Sequence, residues 1–125
     1  MTVYVDDMYL YPIGELKRGG RVYKMSHLIA DTRDELLDMA RRIGLNVRHI
    51  QKPRTHGEHF DICMSYRKRA VTAGAVLITL RQCSAMCVRR RETGELGSPV
   101  DVDAWMGQFV AERRARARAR QGAAR

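Results

Sequence analysis

Residues 25–51 constrain the fold of this chain more than any other stretch. His27-Leu28-Ile29-Ala30 is a short apolar run of the kind that forms a strand. Thr32 and Glu35 follow with the T-x-x-E spacing of a capping box, in which a hydroxyl and a carboxylate satisfy the first free N–H groups of a helix. Leu36, Leu37, Ala40 and Ile43 then recur at helical spacing and define one apolar face. Gly44 stands where the helix must turn into the left-handed region, and Leu45 is placed for the hydrophobic contact that closes such a cap. The pattern predicts a helix over 32–43 and a second strand over 46–51, so the unit reads strand, helix, strand.

The same reading extends in both directions. Thr2 to Val5 alternates β-branched and aromatic residues and predicts a first strand. Pro12, Gly14 and Gly19-Gly20 mark residues 8–20 as a loop or loose hairpin, and strand character resumes from Arg21 to Ala30. Residues 52–58 read as a polar loop and His59 to Ile62 as a short strand. Ser65 is a candidate cap for a helix to Ala73, closed by Gly74, and the apolar run from Ala75 to Leu80 reads as a buried strand. Residues 81–91 fit no single pattern. Two strand–helix–strand units in series predict a small single-sheet α/β fold with parallel pairs.

After a linker carrying Gly94, Gly97 and Pro99, residues Val102, Trp105, Met106, Phe109 and Val110 recur at i, i+3, i+4, i+7 and i+8, which predicts an amphipathic helix capped by Asp101 and packed on the sheet through Trp105 and Phe109. The expected organisation is an α/β domain over 1–97 and a helical extension over 98–125 with a basic tail from 111.

With 125 residues, the chain holds one domain with a modest core. Net charge is +9, and residues 111–125 supply six arginines against one glutamate. Anionic partners are therefore expected, nucleic acid before an acidic protein. No apolar run approaches the roughly 20 residues that a membrane helix needs. The start of the chain lacks the basic-then-apolar pattern of a secretory signal, and three cysteines form no disulfide framework, so a cytoplasmic setting is expected.

Four groups of residues carry possible chemistry. Asp6, Asp7, His27, Asp31, His59 and Asp61 all fall at or next to expected strand ends, where ligands gather in α/β sheets. Carboxylates grouped with imidazoles can hold a divalent ion such as Mg²⁺ or Mn²⁺ for phosphodiester chemistry. Equally, Asp31 suits a helix cap and Asp6-Asp7 a turn. His59-x3-Cys63 and Cys83-x3-Cys87 offer the donor types of a zinc site, at an unusual spacing. Arg67, Lys68 and Arg69 form a basic helix face suited to phosphate or simply to solvent. Arg113, Arg114, Arg116, Arg118 and Arg120 would surround a continued helix with positive charge, which suits nucleic-acid phosphates more than packing. No P-loop, G-x-G-x-x-G or G-x-S-x-G motif is present.

Taken in order, Val3-Tyr4-Val5-Asp6-Asp7, His27-Leu28-Ile29-Ala30-Asp31, Ile43-Gly44-Leu45, Gln51, His59-Phe60-Asp61, Lys68-Arg69-Ala70 and Gly74-Ala75 resemble a family of small bacterial and phage proteins catalogued as a domain of unknown function. Members of that family often carry tryptophan before the first histidine and before the glutamine, where this chain has Met25-Ser26 and His49-Ile50. The resemblance covers residues 2–80 and implies no activity.

Overall fold

The structure is a computed structural model that describes residues 2–124. Met1 and Arg125, the latter counted in the basic tail, lie outside the described residues.

A five-stranded mixed sheet carries helices on both faces. Strand β3 (Arg21–Ala30) is its spine. Its inner half has a neighbour on each side, because Leu28 lies opposite both Val5 of β1 (Val3–Val5) and Phe60 of β4 (Phe60–Cys63). Both neighbours run antiparallel to it. Strand β5 (Val76–Leu77) adds to the far edge of β1, and this pair is parallel. The outer half of β3 pairs instead with β2 (Glu15–Arg18) in a two-stranded ribbon, turned by Gly19 and Gly20 at φ 59° and 76°. Positive φ at both central residues matches the right-handed twist of the flanking strands.

Side-chain alternation sorts the core into two layers. Val5, Leu28 and Ala30 pack with Leu36, Met39, Ala40 and Ile43 of α1 (Arg33–Ile43) and Ala70 of α2 (Met64–Thr72). Tyr4 and Ile29 point the other way and meet Cys83, Ala85 and Met86 of α3 (Leu80–Thr93) and Val102 of α4 (Val102–Ala123). A period of two along β1 and β3 therefore feeds both faces, as expected of strands buried on both sides.

Helix α1 forms as its signals require. The Glu35 N–H donates to Thr32 Oγ1 at 3.2 Å, and the Thr32 hydroxyl donates to the Glu35 carboxylate at 2.8 Å. Gly44 takes φ 86°, and the Leu45 N–H closes on the Ala40 carbonyl.

Several expectations are corrected. Residues 46–51 form a 3₁₀ turn (Val47–His49) capped by the Asn46 side chain, followed by a single bridge from Gln51 to His59, rather than a strand. Thus β3, α1 and β4 are not a parallel unit. The apolar run 75–80 makes only the two-residue edge strand β5, whose side chains are exposed. Thr79 and Gln82 then form a complete capping box that starts α3 through the stretch with no clear pattern. Helix α2 starts after Cys63 rather than at Ser65.

Trp105 and Phe109 do not pack on the sheet. They stack on each other, half-exposed, with centroids 5.1 Å apart, while α4 is attached through Val102 and Met106. Asp101 occupies the cap position but gives its carboxylate to Arg89 at 2.9 Å. Arg89 is buried in α3 and also donates to the Leu96 and Ser98 carbonyls, which holds the linker in place. Gly97 is required there: at φ 68°, any Cβ would lie 2.5 Å from the Arg89 guanidinium. No helix among the described residues is long and apolar enough to cross a membrane.

Candidate metal centre

Asp6 ends β1 and is completely buried. Burial of a carboxylate is tolerated only where donors surround it. Here the His27 and Met8 N–H groups donate to Oδ1 at 2.8 and 3.1 Å, and His27 Nδ1 meets Oδ2 at 2.7 Å. The ring of His27 is thereby fixed, with Nε2 turned outward. Across the ladder, His27 lies opposite Asp61. His59 enters the same group from the start of β4, where its Nδ1 meets the Gly57 carbonyl at 2.7 Å.

Both free Nε2 atoms face one carboxylate oxygen. Asp61 Oδ1 lies 3.3 Å from His59 Nε2 and 3.7 Å from His27 Nε2. The two rings meet edge to face with centroids 4.9 Å apart. The three ligand atoms lie within 4.8 Å of one another. A tetrahedral ion with bonds of about 2.1 Å has ligand–ligand edges of about 3.4 Å, so this spacing suits a small divalent ion.

Electrostatics follow the geometry. Burial pushes the His59 imidazolium down, but the Asp61 hydrogen bond, the Gly57 carbonyl and the Asp61 charge outweigh it and hold the group above the ordinary histidine range. The His59 hydrogen bond pulls Asp61 below the ordinary carboxylate range against burial, helped by the charges of His59 and His27.

Behind the histidines, Cys83 and Cys87 line a cavity of about 220 Å³ together with His27, His59, His56 and Lys52. The Cys83 hydrogen bond draws the Cys87 thiol down to about 7, against burial and with help from Arg90 and the histidines. The Cys83 thiol is pushed up by the same hydrogen bond, by burial and by Asp6. In front lies a groove of about 610 Å³, with His27, His59 and Asp61 on one side and Met8, Ile13, Leu16 and Met25 on the other. Lys52 lines both hollows and holds a left-handed backbone at φ 48°. The loop behind it is pinned by buried Glu58, which accepts from Arg33 Nη1 at 2.9 Å and the Arg54 N–H at 3.0 Å.

Of the six polar residues singled out in the sequence, four converge: Asp6, His27, His59 and Asp61. Asp7 is a structural cap, its carboxylate accepting the Leu80 N–H at 2.7 Å at the head of α3. Asp31 is at the other end of β3, where it accepts the Thr2 N–H at 2.9 Å. The zinc set does not assemble. Cys63 contacts the Ser65 hydroxyl at 3.3 Å, and among the described residues neither it nor Cys87 joins a group of three metal donors. Of the three cysteines, Cys83 alone joins such a group, within 4.8 Å of Asp6 and His27.

The basic face of α2 is divided. Arg67 donates to the Asp6 carbonyl at 3.2 Å and covers the Tyr9 ring, Arg69 donates to the Ile43 carbonyl at 3.0 Å, and Lys68 is exposed. In α4, all residues from 111 to 124 are exposed, so Arg113, Arg114, Arg116, Arg118 and Arg120 ring its exposed C-terminal turns.

Residues 3–90 match the family described as Protein of unknown function (DUF4031). The chain belongs to that family. No curated protein and no solved structure matches it. The DUF4031 match includes all four converging side chains and both cysteines of the cavity, and it ends before α4 begins.

Proposed function

We propose that this protein is a metal-dependent phosphodiester hydrolase that acts on nucleic acid. One observation carries the reading. The two imidazoles have their Nδ1 atoms tied to acceptors, Asp6 and Gly57, and turn their Nε2 atoms to one exposed carboxylate. Histidines that bind metals are typically oriented in this way by a second hydrogen bond. Two imidazoles and a carboxylate leave coordination positions open for water and substrate, the arrangement of catalytic rather than structural sites. The donor set suits Zn²⁺ or Mn²⁺ better than Mg²⁺, which prefers oxygen alone.

His27, His59 and Asp61 would hold the ion, which when bound would supply a water with its pKa lowered to near neutrality. The water oxygen would bond to phosphorus as the P–O ester bond breaks, and the proton given up by the water would end on the leaving oxygen. Lys52, at the rim, is positioned to offset charge on the phosphate. The arginines of α4 supply affinity for the phosphate backbone, independent of sequence.

The test titrates metal-free protein with Zn²⁺ and with Mn²⁺ by calorimetry, then follows cleavage of a labelled oligonucleotide. One ion per chain is expected, with binding and cleavage both lost in His27→Ala and Asp61→Ala. Metal binding that persists in both variants, or its absence from the wild type, would overturn the centre. Cleavage absent at saturating metal would overturn the hydrolase.

A further inference from the structure

The β2–β3 ribbon has no part in the core. All ten residues from Glu15 to Lys24 are exposed, although β3 continues from them into its own largely buried inner half. We propose that this ribbon is an arm that enters the groove of a nucleic-acid duplex and holds its backbone at the His27–His59–Asp61 centre. The proposal rests on nucleic acid being the substrate and narrows that substrate to a duplex.

The charge of the ribbon is the first argument. Lys17, Arg18, Arg21 and Lys24 stand against Glu15 alone, and none of the four cations makes an ion pair among the described residues. Arg18 and Arg21 are direct cross-strand partners next to the turn. Like charges in that position destabilise a hairpin, so their placement makes sense where an anion lies between or over them.

Shape is the second argument. A two-stranded ribbon fits the major groove of B-form DNA, about 12 Å wide. Gly19 and Gly20 put no side chain at its leading end. Alternation places Leu16, Tyr23, Arg18 and Arg21 on one face, which combines apolar contact with charge. Leu16 and Tyr23 remain 40% and 37% exposed.

Continuity with the site is the third. Lys24 and His27 are three residues apart on one strand, about 10 Å at the rise of a β-strand. Glu15 and Leu16 line the groove in front of the metal centre. A duplex held by the ribbon would therefore bring a phosphate to that groove, with α4 left as a separate, sequence-independent contact.

The experiment uses the full chain. Lys17, Arg18, Arg21 and Lys24 are replaced together by alanine, and Arg18→Glu with Arg21→Glu makes a second variant. Thermal melts and Zn²⁺ binding check that fold and centre survive. Both variants and the wild type are titrated with a short DNA duplex and with a single strand of the same length at several salt concentrations. The expected result is a loss in duplex affinity of about tenfold or more at low salt, and a salt slope flattened by up to about 3.6, at about 0.9 per phosphate contact for four cations. Single-strand affinity should change little, because α4 still holds the strand. Unchanged duplex affinity and slope, beside a wild type that does bind, would overturn the arm. Equal losses for duplex and single strand would also overturn it, leaving diffuse charge in place of groove entry. A wild type that binds neither would instead remove the nucleic-acid reading beneath it.

Discussion

Asp6 and Asp31 each follow an apolar strand, and each is one carboxylate at the end of a run of core residues. Their surroundings differ completely. Asp6 is buried among donors and orients a histidine whose other nitrogen faces a second carboxylate. Asp31 is exposed and tidies the start of the chain through Thr2. Strand direction makes the difference. Because β1 and β3 are antiparallel, their C-terminal ends point in opposite directions along the strand axis. His27, four residues before Asp31 on the same strand, lies beside Asp6 instead. A carboxylate at a strand end joins a cluster only where other strands deliver partners to that end.

The largest expected effect sharpens this contrast. Asp6→Ala should destabilise the metal-free protein by about 1–3 kcal/mol for each donor left unpaired, the His27 and Met8 N–H groups foremost. Denaturant titration measures it. Asp6→Asn is the finer probe. Its amide would present an N–H to His27 Nδ1, so the ring would carry its proton on Nε2, where the metal should bind. Zn²⁺ affinity should fall about 10–100-fold even where the fold persists. Undiminished affinity in Asp6→Asn would mean that Asp6 supports the core alone.

Next in size is Trp105→Ala, which calibrates the scale outside both ends of β3. Full burial would make truncation cost about 3–5 kcal/mol. Trp105 is half-exposed and stacked on Phe109, so a loss of about 1–2 kcal/mol is expected, with the midpoint of the thermal melt as readout. A loss at the upper figure would indicate that something covers this face in solution.

How far these features could be read from sequence depends on whether the deciding contacts were local. Helix α1 was legible to the residue because Thr32, Glu35, Gly44 and its apolar face are all local signals. The family resemblance was legible too, carried by ordered short motifs, and the match over 3–90 bears it out. The site was half legible: residue types and strand ends picked out Asp6, His27, His59 and Asp61, but the assumption of parallel strands brought in Asp31. Helix α3 was missed because its buried face is built from Cys83, Ala85, Met86 and the apolar stem of Arg89, a weak hydrophobic pattern. The Thr79-x-x-Gln82 box was the signal available for it. The apolar spacing of α4 suggested burial that did not occur, since periodicity defines a face without saying what covers it. Residues 15–24 were hidden for the opposite reason: their turn glycines marked a hairpin, but nothing in sequence showed that it would project from the core.

A smaller effect is expected at the other end of β3. Asp31→Asn keeps an oxygen for the Thr2 N–H and removes an exposed charge. It should change stability by less than about 0.5 kcal/mol and leave Zn²⁺ binding unaltered. A loss of metal affinity here would join the two ends of the strand, contrary to the contrast drawn between them.

The smallest effect is the pH dependence of the His59–Asp61 pair without metal. His59 is held above its ordinary value when folded, so its contribution is complete below the unfolded value of about 6.5 and is lost as pH rises through the folded one. Asp61 is held below its ordinary value, so its contribution is present above the unfolded value of about 3.9 and is lost as pH falls through the folded one. The pair should therefore favour the metal-free fold most in the mildly acid range between those limits. Asp61 is 41% exposed, and solvent screening keeps the effect to a fraction of a kcal/mol. Denaturation midpoints across pH, wild type against Asp61→Asn, isolate it. Metal reverses the trend on the alkaline side, since Zn²⁺ needs His59 neutral and must displace its proton. Stabilisation by Zn²⁺ should grow as pH rises through the His59 titration. Stabilisation that ignores pH there would place the ion away from His59 and break the centre at its least exposed ligand.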